Sequence, residues 1–319
     1  MNTRIGVKPS IDIVIINWNS SAQLNRGLES IAMSDQRTIQ IGRIIIVDNA
    51  SMEFFVREEF KKTLPIEIII NPANVGFAAA CNQGAKICTS QYLLFLNPDV
   101  RINADSISTP VRWMDTDGGD VGICGIRLFN KGGRCETSCA DFPRLSMYLV
   151  AAIGIDKLLP HRRLGRFHDA SELDADGYVD QVSGAFFLVR RKVYEFLGGF
   201  DERFFVYYEE VDFSLRARQK GYPSYYLSRI SAGHIGGTST GQAGPRRLFY
   251  YLQSRLKYAK KHFRPLEYLA LSVLTLGPEF FMRLSFSLWR GSRELTETLA
   301  AYRMLWGWIV EENVGCGGS

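Results

Sequence analysis

Three short polar clusters follow apolar runs in this chain: Asn17-Trp18-Asn19, Asp48-Asn49-Ala50-Ser51 and Asn97-Pro98-Asp99. Each stands where a strand should end, and open α/β sheets bind ligands outside the carboxyl ends of their strands. An aspartate after a strand is, taken singly, an ordinary turn former or helix cap; three clusters around one crevice point to a binding site. Asp99 is the natural ligand for a hard divalent cation, which takes oxygen donors and can hold the two phosphates of a nucleoside diphosphate. A second group, Glu209-Glu210-Val211-Asp212, sets three carboxylates within four residues at the start of an expected helix. The helix dipole favours acids there on structural grounds alone. Phe204, Phe205, Tyr207 and Tyr208 beside them supply an aromatic setting that can raise a carboxylate pKa, which suits a general base. His234 lies in Ala232-Gly233-His234-Ile235-Gly236-Gly237, where the glycines allow close backbone approach to a ligand.

These residues need a scaffold, and the apolar pattern supplies one. Ile11–Asn17, Arg43–Val47, Ile66–Ile70 and Tyr92–Leu96 read as strands, the first dense in isoleucine. Between them, Ser20 and Ser21 can cap a helix carrying Leu24, Leu28 and Ile31 on one face, and Gly76–Cys88 reads as a second, alanine-rich helix. Strands alternating with helices imply βαβ units and a parallel sheet covered on both faces. Beyond residue 120, Val121–Phe129 and Val179–Val189 read as strands separated by the irregular stretch Asn130–Tyr178; Tyr207–Lys220 reads as a helix stopped by Gly221. From Pro245 onward the pattern is helical and apolar. The expected organisation is a catalytic domain over residues 1–240 and a helical segment over 241–319, divided near Gly241–Pro245.

The usual nucleotide fingerprints are absent. The sequence has neither GxGxxG nor GxxxxGK[ST]. A nucleotide on this sheet must therefore be held by side chains and a metal rather than by a glycine-rich phosphate cradle. Gly237-Thr238-Ser239-Thr240-Gly241 fits the spacing of a nucleophile elbow, but a helix should follow it directly and Gln242-Ala243-Gly244-Pro245 does not start one there. The six cysteines form no CxxC and no zinc-finger spacing, so they read as reduced thiols. Met1–Ser10 has no apolar core of the kind that directs export, so a cytoplasmic location is expected.

In order along residues 11–240, the chain resembles glycosyltransferases of family 2 with the GT-A fold, in particular their rhamnosyltransferase-like branch. The matching pieces are Ile13–Asn19, Val47–Ser51, Asn74-Val75-Gly76-Phe77-Ala78, Leu96-Asn97-Pro98-Asp99, Ser183-Gly184-Ala185, Gly198-Gly199-Phe200-Asp201-Glu202, Glu209–Asp212 and His234–Gly237. The resemblance implies a mixed, mainly parallel central sheet between helices, with the helical segment as an extension. It implies an inverting, metal-dependent transfer of a sugar from a nucleotide-diphosphate donor, dTDP-rhamnose first and UDP-sugars next, to a glycan or lipid-linked acceptor. Asn17 stands in the first strand-end cluster of the donor crevice, Asp48 would contact the nucleoside, and Asn74 and Gly76 would lie beside the donor. Asp99 and His234 would hold Mn²⁺ or Mg²⁺. Asn97 stands where a fuller motif has a second Asp, and Glu210 stands as base where the family commonly has Asp. Two other readings stay open, a nucleotidyltransferase and a binding protein that has lost catalysis.

The net charge is +5, but Gly241–Arg290 holds nine basic residues against two acids, a local +7 that leaves −2 for the rest. In composition the chain is 46% hydrophobic and 22% charged, which excludes disordered and collagenous classes. Basic residues among the aromatics of Phe249–Phe263, next to the apolar Tyr268–Pro278 and Phe280–Trp289, read as a segment lying in a membrane interface. The uncharged run is too short to span a bilayer. The alternative is that these helices pack on the catalytic domain or form a homodimer interface. No nucleic-acid-binding module accompanies the basic residues.

Overall fold

A computed structural model of the chain describes residues 8–152, 172–236 and 244–315. They form two compact units. The first is Met1–Phe142, Phe167–Glu202 and Glu209–Thr238; the second is Pro143–Arg166, Arg203–Tyr208 and Ser239–Ser319. Besides the segment past residue 240, the second unit thus takes in two earlier pieces of chain.

The first unit is built on β1 (Ser10–Asn17), β2 (Gln40–Asp48), β3 (Ile66–Ile70), β4 (Tyr92–Leu96), β5 (Val100–Ile102), β6 (Ile123–Phe129), β8 (Gly177–Val179), β10 (Phe186–Arg190) and β11 (Ser224–His234). Their order is β3-β2-β1-β4-β10-β6-β11-β5, with β8 paired to β11. β7 (Cys139–Ala140) and β9 (Gln181–Val182) make a separate antiparallel pair. β1, β2, β3 and β4 are mutually parallel; β10 runs antiparallel to both neighbours, and β11 is parallel to β6.

Side chains alternate across these strands, and both sides are apolar. Ile11, Ile13, Ile15, Ile44, Ile46, Leu94 and Leu96 pack on one face, under α1 (Ser21–Ala32), α2 (Glu58–Thr63) and α4 (Ser108–Thr116). Val14, Ile16, Ile45, Val47, Leu93 and Phe95 pack on the other, with α3 (Phe77–Ala85), α6 (Arg191–Phe196) and α7 (Glu209–Gln219). Two buried faces explain why these strands read as unbroken apolar runs. Asp12 is the exception within β1. It is fully buried, and its carboxylate accepts from the Thr89 and Ser90 amides and the Ser90 hydroxyl at 2.7, 2.9 and 2.8 Å, fixing the turn that leads into β4.

Several expectations are corrected. Ser20 is the N-cap residue of α1, but its hydroxyl donates to Asn17 Oδ1 (3.0 Å) instead of capping the helix. The strand expected over Val179–Val189 is three short ones, broken at Ser183-Gly184-Ala185. The 11-residue strand β11 was not foreseen. The helix expected from Tyr207 begins at Glu209, because Tyr207 and Tyr208 take φ of 68° and 70°. The elbow-like Gly237–Gly241 lies outside the described residues, as does much of Asn130–Tyr178.

The second unit contains α5 (Leu145–Ala152), α8 (Pro245–His262), α9 (Pro265–Leu276), α10 (Pro278–Arg290) and α11 (Ser292–Gly315), packed around Tyr148, Leu252, Leu256, Leu271, Tyr302 and Leu305. The basic, aromatic helix α8 is not the exposed one. Tyr258 is buried, and so is Arg255, whose guanidinium bonds Glu279 (2.5 Å) and Thr275 (2.8 Å). Exposed apolar side chains are densest on α9 and α10 (Leu266, Leu269 and Val273, then Phe281, Leu288 and Trp289, the last 85% exposed), with Leu299, Trp306 and Val310 on α11 and Leu149 on α5. The stretch Pro265–Arg290 is long and apolar enough to cross a membrane by length and composition alone, more than its uncharged run suggested. Of the three charged residues in α10, Glu279 and Arg283 pair at 2.8 Å, and Arg290 is the last residue of the helix.

Candidate active site

Asn17 and Asp48 end adjacent parallel strands and are direct register partners. Both are buried, and the Asn17 amide donates to Asp48 Oδ1 (2.8 Å) and Ser51 Oγ (3.0 Å). Ser51 in turn donates its hydroxyl to Asp48 Oδ1 (2.6 Å) and its amide to Asp48 Oδ2 (3.1 Å). Asn17, fully buried, therefore holds Asp48 in place. The loop geometry needs two non-glycine residues at positive φ, Asn19 (51°) and Ala50 (61°).

Asn49, which sequence reasoning passed over, is the hub of the next shell. Its amide nitrogen donates to Asn74 Oδ1 (2.8 Å) and Gly76 O (3.2 Å), and its carbonyl oxygen accepts from the Val75 amide (3.0 Å) and Asn71 (3.1 Å). The Asn74–Gly76 loop is thus tied to the end of β2. Gly76 precedes α3 at φ 92°, a conformation that glycine alone takes without penalty.

After β4 the chain turns through Asn97-Pro98-Asp99 into β5, whose Val100 pairs with His234 at the end of β11. The pairing brings Asp99 to His234, Oδ1 to Nε2, at 3.4 Å. On the other side of the ring, Glu136 Oε2 lies 2.7 Å from Nδ1. Burial works to lower the His234 pKa, but the Asp99 and Glu136 carboxylates outweigh it and hold the imidazole above its ordinary value. Glu136 gave no sequence signal: it sits 98 residues from its partner, in the turn between β6 and β7. A carboxylate on the far nitrogen of a histidine orients the ring and fixes the near nitrogen toward a metal. Among the described residues no cluster of three or more His, Cys, Asp or Glu forms a closed metal cage. Asp99 and His234 instead make an open pair, one oxygen and one nitrogen donor.

The three acids at the start of α7 separate by environment. Asp212 is fully buried and pairs with Arg216 at 2.8 Å; that guanidinium also bonds the Leu197 and Gly199 carbonyls, so this acid is structural. Glu209 is 5% exposed, with Oε2 lacking a hydrogen-bond partner. Burial, and then the Glu210 charge, push its pKa well above the ordinary carboxylate value. Glu210 alone is partly exposed, although its Oε2, like that of Glu209, is buried. Its side chain lies over Gly184, where an added Cβ would meet Glu210 Cγ at 3.6 Å. Gly184 precedes Ala185, whose carbonyl accepts from the Asn97 amide at 3.0 Å. One backbone hydrogen bond therefore links the loop bearing Asp99 to the loop beneath Glu210. This is what the structure shows of Asn97: a backbone tie between the two loops.

Immediately before Glu209, Tyr207 and Tyr208 are consecutive bulky residues in the left-handed region. Such a conformation costs about 1–3 kcal/mol per residue and persists only where surroundings over-determine it.

Residues 12–198 match the family model described as Glycosyl transferase family 2. Among curated proteins, the chain is 23% identical over 248 residues to the N-acetylglucosaminyl-diphospho-decaprenol L-rhamnosyltransferase of Mycobacterium tuberculosis, covering 73% of this chain and 78% of that protein. It is 26% identical over 170 residues to the rhamnosyltransferase WbbL of Escherichia coli, covering 52% and 61% respectively. Among solved structures it resembles a Pyrobaculum calidifontis mannosyltransferase in complex with GDP-Man and Mn²⁺ (TM-score 0.54, 15% identity, 92% of this chain and 74% of that one). It resembles Staphylococcus aureus TarS with UDP-GlcNAc equally well (TM-score 0.54, 15% identity, 92% and 79%). The likeness is one of fold, and the fold is GT-A.

Proposed function

Because the chain belongs to glycosyl transferase family 2 and is a glycosyltransferase, we propose that it moves a rhamnose-type sugar from a nucleoside-diphosphate donor to a hydroxyl of a lipid-linked glycan, with inversion at the anomeric carbon. The sorting of the acids carries this reading: Asp212 is committed to Arg216 and Glu209 is buried, while Glu210 is partly exposed beside the loop tied to Asp99. Glu210 accepts the proton of the acceptor hydroxyl as its oxygen attacks the anomeric carbon. The bond to the diphosphate breaks on the opposite face, and its electron pair leaves with the phosphate oxygen.

Asp99 and His234, one oxygen and one nitrogen donor, would hold a divalent cation such as Mn²⁺ or Mg²⁺ beside the donor's diphosphate. When bound, that ion neutralises charge developing on the leaving diphosphate. Preorganised charge of this kind is usually the larger catalytic contribution, and general-base help adds about 100- to 10,000-fold. Asp48, fixed by Asn17 and Ser51, marks the nucleoside side of the pocket, with Asn74 and Gly76 beside it.

The rhamnose donor and lipid-linked acceptor draw support from the two rhamnosyltransferase relatives. A membrane surface as the place of transfer draws support from the apolar side chains exposed on α9 and α10. Transfer assays with a panel of dTDP- and UDP-sugars, Mn²⁺ and a polyprenyl-diphosphate-linked acceptor test the reading, with flotation on anionic liposomes as the membrane arm. Expected are activity with dTDP-rhamnose and, for Glu210→Gln, a loss of about 100- to 10,000-fold in kcat at nearly unchanged nucleotide affinity. Near-normal turnover by Glu210→Gln removes it from the base role.

A further inference from the structure

The loop Arg203–Tyr208 ends one residue before the glutamate pair, yet it belongs to the second unit. Its grip there is specific. Ser254 Oγ donates to Val206 O at 2.8 Å, and Lys257 Nζ donates to Arg203 O at 2.7 Å. Phe205 stacks on Tyr250, ring centroids 4.5 Å apart, and Tyr208 packs on Tyr251 and Tyr258 at 5.9 and 5.5 Å. Positions 250, 251, 254, 257 and 258 recur at helical spacing, so one face of α8 meets the loop from end to end. From α5, Tyr148 shares a hydroxyl–hydroxyl hydrogen bond of 2.7 Å with Tyr208, and both rings are buried. Arg255 lies over the Tyr148 and Tyr251 rings at 5.2 and 5.7 Å, anchored by Glu279.

The loop so held ends in Tyr207 and Tyr208, two consecutive non-glycine residues with left-handed backbone. Released, Tyr207 and Tyr208 would relax toward ordinary φ, and the first turn of α7 would be re-aimed with them. Glu210 is in that turn. We propose that α8 and Tyr148 form a clamp that positions the catalytic glutamate by holding Tyr207-Tyr208 in their left-handed conformation, which makes Tyr148, Ser254 and Tyr208 positioning residues for sugar transfer. The inference rests on Glu210 being the base.

Tyr148→Phe and Ser254→Ala, singly and together, remove the two hydrogen bonds nearest Tyr207-Tyr208, keep that of Lys257 to Arg203 O, and leave Glu210 untouched. Turnover is read as nucleoside diphosphate released from whichever dTDP- or UDP-sugar the wild type transfers, with Mn²⁺; donor-site integrity is read by calorimetric binding of the corresponding nucleoside diphosphate. The expected result for the double variant is a fall in kcat of roughly 10- to 100-fold, the scale of a sub-ångström to ångström misplacement of a reacting group, at unchanged nucleotide affinity. Adding Tyr207→Gly, which takes φ near 68° without a Cβ penalty, should recover part of the lost kcat.

Unchanged turnover in the double variant overturns the clamp. So does joint loss of turnover and nucleotide binding, because the loop would then serve folding alone, and so does failure of Tyr207→Gly to improve the double variant. Glu210→Gln run in parallel separates the two ideas. A dead Glu210→Gln beside a fully active double variant sinks the clamp and spares the base; an active Glu210→Gln sinks both.

Discussion

Glu279→Gln tests how the helical unit is held together. The Glu279 carboxylate accepts from Arg255 at 3.3 and 2.5 Å and from Arg283 Nε at 2.9 Å, and both Arg255 and Glu279 are buried. Removing one partner of such a pair leaves an uncompensated buried cation and typically costs about 3–5 kcal/mol. Glutamine keeps one acceptor oxygen, so the lower end applies, about 3 kcal/mol. With a urea m-value of about 2 kcal/mol/M, the midpoint should fall by roughly 1.5 M. Tryptophan fluorescence is the assay of choice, because Trp289, Trp306 and Trp308 lie in this unit and only Trp18 and Trp113 lie in the other. Replacing both partners, as Arg255→Met with Glu279→Leu, should recover most of the loss. Burial works to raise the Glu279 pKa, but Arg255 and Arg283 outweigh it and hold it below the ordinary carboxylate value. That contribution is complete above the unfolded-state value, about 4.3, and is lost as pH falls through the folded-state one. Glu279→Gln should therefore flatten the acid limb of the stability profile. A midpoint shift under about 0.3 M, or a double variant weaker than the single one, refutes the reasoning.

Glu209 gives the opposite pH signature. Its pKa is raised by burial and by Glu210, so the folded protein holds a proton that the unfolded chain releases from about pH 4.3 upward. Stability should fall as pH rises through that window, and Glu209→Gln should remove the slope, seen as a gain in urea midpoint at pH 8 that is small at pH 5. Gly76→Ala, at φ 92°, should cost about 1–2 kcal/mol and weaken nucleotide binding by loosening the Asn49–Asn74 tie, checked by melting temperature and calorimetry.

The apolar runs were legible because their signal is local. Ile66–Ile70 and Tyr92–Leu96 fall on the residues expected, since each is a short, largely apolar stretch, the second buried on both faces and the first at the sheet edge. Ser224–His234 carries serines, an arginine and a glycine, and is a strand because β6, β5 and β8 pair with it; nothing within those 11 residues encodes that. The site divides the same way. Asp99 and Glu210 were visible as acids at a strand end and a helix start, and His234 by the glycines around it. Their selection was not: Glu136 reaches His234 across 98 residues, and Asp212 is set apart by Arg216 and the carbonyls of Leu197 and Gly199. Two tyrosines at positive φ could not be read from composition, because left-handed backbone is a glycine signature and here packing imposes it.

Arg203–Tyr208 returns the chain to the second unit for six residues before Glu209. Anyone splicing family members, or trimming this chain at 240 to obtain a minimal enzyme, would sever Val206 from Ser254 and Tyr208 from Tyr258 while leaving every motif residue in place. A graft that changes the helices of the second unit must carry residues 203–208 and the Tyr148 helix with them, so the exchangeable module is discontinuous in sequence.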